Sequence, residues 1–265
     1  MILLYQKKNK VFFVVLILTL LVLVYFVHPT NRNSYVQAYD SSYTVAVLET
    51  LGGRLGLSKD NIIAFDAKGT DGYYDLYTMQ WGDSTHQRIT HESKNIPQKH
   101  NGNPSWHPDG NYIVFQSVDP SLQGLPPRYH DIEMALTGPG AGVNNNLWIT
   151  DKKGSVFYQL THVTDKNGVL HPHFSHDGKK IVWMSSKDIP QKIQQYKVKT
   201  DYWIMDRNGK NKQRLTYFND PQSEYYVPGG AIAADCDWFK DGSALIGYLI
   251  FREGQRDYNV LIEWK

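Results

Sequence analysis

The sequence predicts an all-β domain of repeated antiparallel units behind one membrane-spanning helix, and three observations carry that prediction. First, a strand–turn–strand pattern occurs three times. It reads Asn103-Pro104-Ser105-Trp106-His107-Pro108-Asp109-Gly110-Asn111-Tyr112-Ile113-Val114-Phe115, then His171-Pro172-His173-Phe174-Ser175-His176-Asp177-Gly178-Lys179-Lys180-Ile181-Val182-Trp183, then Asp235-Cys236-Asp237-Trp238-Phe239-Lys240-Asp241-Gly242-Ser243-Ala244-Leu245-Ile246-Gly247. Each copy has an aromatic, then Asp-Gly three residues later, then an apolar strand; Asp-Gly supplies the side-chain hydrogen bond and the positive φ of a tight reversal. Second, Asp75-Leu76-Tyr77-Thr78-Met79, Asn146-Leu147-Trp148-Ile149-Thr150 and Asp201-Tyr202-Trp203-Ile204-Met205 are each followed by a segment that ends alike: Arg88-Ile89-Thr90, Gln159-Leu160-Thr161 and Arg214-Leu215-Thr216. Third, residues 11–27 are apolar apart from the hydroxyls of Thr19 and Tyr25. Repeat units of this size bury their apolar faces against one another.

These hairpins resemble the Pro-Asp-40 (WD40-like) repeats of the TolB-like β-propeller family, whose hairpin reads roughly Pro-x-Trp-Ser-Pro-Asp-Gly-x-x-Ile-Ala-Phe. The resemblance covers about residues 40–265 and implies an all-β propeller of about four four-stranded blades. It implies an envelope setting as well, but no activity, since one fold hosts many functions.

In chain order, 1–10 is a short tail whose Lys7, Lys8 and Lys10 precede the apolar run. The 11–27 run is at the lower edge of a spanning length. No small residue follows it until Ser34, which argues for an uncleaved signal anchor, and the lysines place the N-terminus in the cytoplasm. Residues 28–42 are a polar linker. The strand-like segment 43–49 is followed by Gly52 and Gly53, which read as its end. Blade one is expected at 54–58, 62–66, 75–80 and 87–90; blade two at 104–107, 112–117, 146–151 and 156–161. Blade three is expected at 172–175, 180–185, 201–206 and 212–216. Blade four has only 235–239, 245–251 and 258–264, and the spare strand 43–49 is expected to pair with its edge and close the ring.

Composition narrows the function. Twenty-eight Lys and Arg against 26 acidic residues leave a formal charge of +2, so there is no basic footprint for nucleic acid. The one cysteine, Cys236, sits in a predicted strand and reads as a buried side chain. Gly-x-Ser-x-Gly, His-Glu-x-x-His, a phosphate loop and a dinucleotide fingerprint are all missing.

Loop lengths point to one face. Tight Asp-Gly turns join first to second and third to fourth strands. The long connections, 66–74, 91–102, 118–145, 162–170, 186–200 and 217–234, all fall on the opposite face, where a rigid scaffold presents them for binding. Within 118–145, one or two helical turns are expected around His130, Asp131 and Glu133. Glu224 and Tyr225 stand in the last long connection. His171 and His173 alternate onto one side of an inner strand, and Asp235 and Asp237 occupy the matching slots of blade four. Those four are candidate ligands for a divalent metal, or polar channel lining that bonds backbone and water. His107 and His176, in the tight turns, are expected to be solvated.

The expectation is therefore a single-pass membrane protein with a periplasmic or extracellular propeller, binding an envelope protein or peptide without a cofactor. The alternative is a metal-dependent propeller enzyme of the polysaccharide lyase or hydrolase type; oligogalacturonate lyases share a similar repeat and use histidines with a metal.

Overall fold

A computed structural model describes residues 52–83, 85–90, 95–119, 121, 126–163, 167–190, 198–251 and 257–263. The chain divides into two units, Met1–Thr50 and Leu51–Lys265, and all of the described residues lie in the second. Among them no helix is long and apolar enough to cross a membrane. The expected anchor 11–27 and the expected closing strand 43–49 lie outside the described residues.

Four antiparallel sheets form the blades of a β-propeller. Blade one holds β1 (Gly52–Leu57), β2 (Ile62–Lys68), β3 (Tyr74–Gln80) and β4 (Gln87–Arg88); blade two holds β5 (Asn101–Trp106), β6 (Tyr112–Val118), β7 (Asn145–Asp151) and β8 (Phe157–Gln159). Blade three holds β9 (Val169–Phe174), β10 (Lys180–Ser185), β11 (Asp201–Asp206) and β12 (Gln213–Arg214), and blade four β13 (Ile232–Trp238), β14 (Ala244–Ile250) and β15 (Tyr258–Glu263). Every expected strand from the second blade onward is present within a few residues of its expected bounds. Gly52 and Gly53 correct the reading of a strand end, because they begin β1. A Cβ on Gly53 would stand 2.1 Å from the Asp66 carboxylate, so glycine here is a packing requirement and not a break.

The hairpin turns share one geometry. Gly110, Gly178 and Gly242 donate their N–H to His107, Ser175 and Phe239 carbonyls, and Asp109, Asp177 and Asp241 accept the N–H two residues on. Blade one makes the same turn with Asn61 at φ 59° in the glycine slot.

The core lies between blades. Ala64 and Leu76 of blade one pack with Trp106, Ile113 and Phe115 of blade two. Val114 and Leu147 of blade two pack with Phe174, Ile181 and Trp183 of blade three. Val182, Met184 and Tyr202 of blade three pack with Trp238, Leu245 and Leu249 of blade four. Strands buried on both faces explain the near-continuous apolar runs at 113–115 and 181–184. At the two ends of the series, Leu55 and Leu57 on β1 and Ile246 and Leu261 on blade four are exposed. Among the described residues β15 pairs with β14 alone.

The recurring third- and fourth-strand residues form a lock. Thr90, Thr161 and Thr216 each donate to the first residue of the signature, Asp75, Asn146 and Asp201, and accept the following N–H of Leu76, Leu147 and Tyr202. Arg88 pairs with Asp75, and Arg214 with Asp201 at 2.8 Å. A very short outer strand is thereby held by side chains as much as by its ladder.

His107 is a further correction. It is 6% exposed, not solvated: its Nε2 lies 3.1 Å from the Gly178 carbonyl and its ring packs edge-on against Phe174. The next blade's turn covers it. His176 is exposed as expected, yet its Nε2 reaches the Trp238 carbonyl at 3.1 Å, so it too bridges to the following blade.

Candidate functional site

All four inner strands break register at one place, between Gly52 and Leu55, Gly102 and Ser105, Leu170 and His173, and Ala233 and Cys236. These are β-bulges, and a bulge re-aims side chains and releases backbone groups from the ladder. Arg54, Asn103, His171 and Asp235 stand at these bulges, each three residues before the aromatic or leucine that ends its strand. Asn103 and His171 pay with φ of 53° and 45°, in the left-handed region. The released N–H groups are taken up by buried second-strand side chains. Asp66 accepts from Arg54 at 2.9 Å and from Asn103 at 2.7 Å; Gln116 accepts from His171 at 3.3 Å. Asp66 and Gln116, in equivalent slots, thus tie blade one to β5 and blade two to β9.

The ring of bulge residues is charged across its width. Arg54 Nη1 lies 2.7 and 2.6 Å from the two Asp235 oxygens, joining the first inner strand to the last, and His171 Nδ1 lies 2.8 Å from Asp235 Oδ1. His171 first, then Arg54, hold the Asp235 carboxyl well below the usual carboxylate range. Burial, seconded by His171, lowers His173 to about 4. Burial raises Asp66, against the pull of its backbone donors.

Above this ring sits the long connection of blade two. Pro127–Tyr129 forms a 3-10 turn that opens on proline, and α1 (His130–Thr137) follows with Asp131 and Glu133 in its first turn. Gly138-Pro139 ends it, and Asn145 Nδ2 donates to the Thr137 carbonyl at 2.8 Å. The helix is docked on the ring through Pro139, whose carbonyl accepts from Asn103 Nδ2 at 2.8 Å. Between helix and ring is a cavity of about 720 Å³, bordered by Arg54, Asp66, His100, Asn103, His130 and Met134 among others. His100 Nδ1 accepts the Tyr74 N–H at 3.2 Å, so its proton sits on Nε2; burial lowers its pKa to about 4.

The expected site residues divide between several places. His130 and Asp131 border the cavity, and Glu133 is turned to Lys99 at 3.5 Å. His171 and Asp235 meet, whereas Asp237 accepts the N–H of the adjacent Trp238. Glu224 and Tyr225 are exposed on the connection after β12. Among the described residues, no group of three or more His, Cys, Asp or Glu side chains is arranged to hold a metal ion. Cys236 is half-buried in β13, and burial raises its thiol pKa. Arg54, Asp66, His100 and Asn103 escaped the sequence reading. Arg54 and Asn103 carry the same offset from the hairpin turn as His171 and Asp235, and that offset is the signal that finds them.

The architecture is that of an antiparallel propeller with one trimmed face and one elaborated mouth. No protein-family model and no curated protein sequence matches the chain. Among solved structures, it is similar in fold to TolB from Acinetobacter baumannii, with a TM-score of 0.55 and 14% identity over 89% of this chain and 48% of that one. It is similar also to a putative TolB from Agrobacterium tumefaciens, with a TM-score of 0.51 and 18% identity over 79% of this chain and 60% of that one. The chain therefore spans about half to three-fifths of the length of these TolB structures.

Proposed function

We propose that this protein is a membrane-anchored, extracytoplasmic binding platform whose elaborated mouth takes a protein or peptide segment of the cell envelope. The observation that carries the reading is the roofed cavity at the mouth, where an eight-residue helix is pinned by Pro139 over a ring of polar bulge residues. A cavity of about 720 Å³ has room for a few peptide residues; its apolar wall at Met134, Ala135 and Pro139 and its charged floor at Arg54 suit mixed side chains. The propeller fold and the hairpin resemblance support the envelope setting, and the 11–27 segment supplies the anchor. In the same reading, 43–49 is the outer strand of the fourth blade. No cofactor enters it.

The test removes the roof. In the cells that make the protein, a chain with 126–141 replaced by a short Gly-Ser turn should lose the proteins that co-purify with the native chain while keeping its melting temperature within a few degrees. Retention of the same proteins by both chains would count against the mouth as the binding surface.

A further inference from the structure

Two residues that border the cavity each carry a buried polar atom with no partner among the described residues: His100 Nε2 and Asn103 Oδ1. The two side chains belong to residues 2% and 4% exposed. His100 stands just before β5 and Asn103 lies within it. Residues three apart on a regular strand point to opposite sides. The bulge between Gly102 and Ser105, with Asn103 at φ 53°, breaks that alternation and brings both residues to one cavity.

Their neighbours fix which is donor and which is acceptor. The Tyr74 N–H donates to His100 Nδ1, so the ring hydrogen is on Nε2, and that N–H lacks an acceptor. Asn103 Nδ2 donates to Gln116 Oε1 at 2.6 Å and to the Pro139 carbonyl at 2.8 Å. The His171 N–H marks Gln116 Oε1 as an acceptor, so the Asn103 amide cannot be turned over, and its Oδ1 lacks a donor. Buried polar groups are as a rule paired, and left-handed backbone outside glycine gathers at functional sites.

We propose that His100 and Asn103 receive the main chain of an extended peptide segment, His100 Nε2–H donating to a carbonyl oxygen and Asn103 Oδ1 accepting an amide N–H. This deepens the proposed function and rests on its reading of the cavity as a peptide site. A neutral amide is the class that supplies one donor and one acceptor. A carboxylate would set its charge against Asn103 Oδ1 and the nearby Asp66 carboxylate, and an ammonium would meet the His100 N–H head on. Recognition through the main chain leaves the ligand's side chains to Met134 and Pro139 on the roof and to Lys68 and Asp71 at the border.

The experiment is a titration of the full chain, purified in detergent and labelled with 15N-histidine. The probe is trialanine capped by acetyl and methylamide, which offers main-chain groups and no functional side chain. A saturable shift of the Nε2 signal that His100→Gln removes is expected. An analogue with esters in place of the amides lacks the N–H groups and should bind about 3- to 10-fold more weakly. Equal affinity for the ester overturns the proposal, as does a response to propionamide but not to the capped peptide, which would assign the pair to a side-chain amide. No shift at all, while replacement of 126–141 still loses the co-purifying proteins, overturns this inference and leaves the proposed function standing. Retention of those proteins without the roof overturns the proposed function, and a saturable shift would then still uphold the amide pair.

Discussion

His100 and His173 are neutral imidazoles held inside the fold, each with a pKa of about 4 against the usual 6.5. Between those values the unfolded chain binds more protons than the folded one, so stability rises with pH across about 4 to 6.5 and the loss is complete below. For His100, which is 2% exposed, the contribution is on the order of 1–3 kcal/mol. Urea midpoints at pH 4.5 and 7.5 check this: His100→Gln should narrow the gap between them, and an unchanged gap would contradict the assignment. At Gly178 the constraint is steric. A Cβ there would stand 2.2 Å from His107 Nε2, at φ +70°. Gly178→Ala should cost about 1–3 kcal/mol in denaturant titration, and His107→Ala should relieve the steric part of that cost. The position of His107 was not legible in the sequence. Its burial comes from the turn of the next blade, where Gly178 lies 71 residues further along the chain.

At the scale of elements, the lock between third and fourth strands explains why outer strands as short as Gln87–Arg88 and Gln213–Arg214 persist. Asp201 is fully buried and holds Arg214, Thr216, the Phe218 N–H and Asn219. Asp201→Ala leaves a buried guanidinium unpaired and should cost about 3–5 kcal/mol. Asp75→Ala, whose partner Arg88 has a side chain 27% exposed, should cost less; thermal melts of the two variants give the order, and the reverse order would contradict it. The hairpins and these signatures were readable because turn chemistry and strand alternation are local. The bulges were not. A register break belongs to two strands at once, and Gly52 and Gly53 read as a break when they begin β1, Gly53 being the close approach that Asp66 requires. The site residues Arg54 and Asn103 were missed for the same reason, while His171 and Asp235 were found through their repeat slot.

For the whole molecule, four blades stack face to face and their loops are trimmed on one side and elaborated on the other. The binding surface proposed here is the elaborated mouth, where the helix, the cavity and the Arg54–Asp235–His171 contacts meet. The most direct measurement places a photo-crosslinking phenylalanine at Met134 in one chain and at Tyr158 in another, and irradiates living cells that make each. The account predicts discrete protein adducts from Met134 and none from Tyr158. Adducts from Tyr158 alone, or from neither position at equal expression, would contradict it.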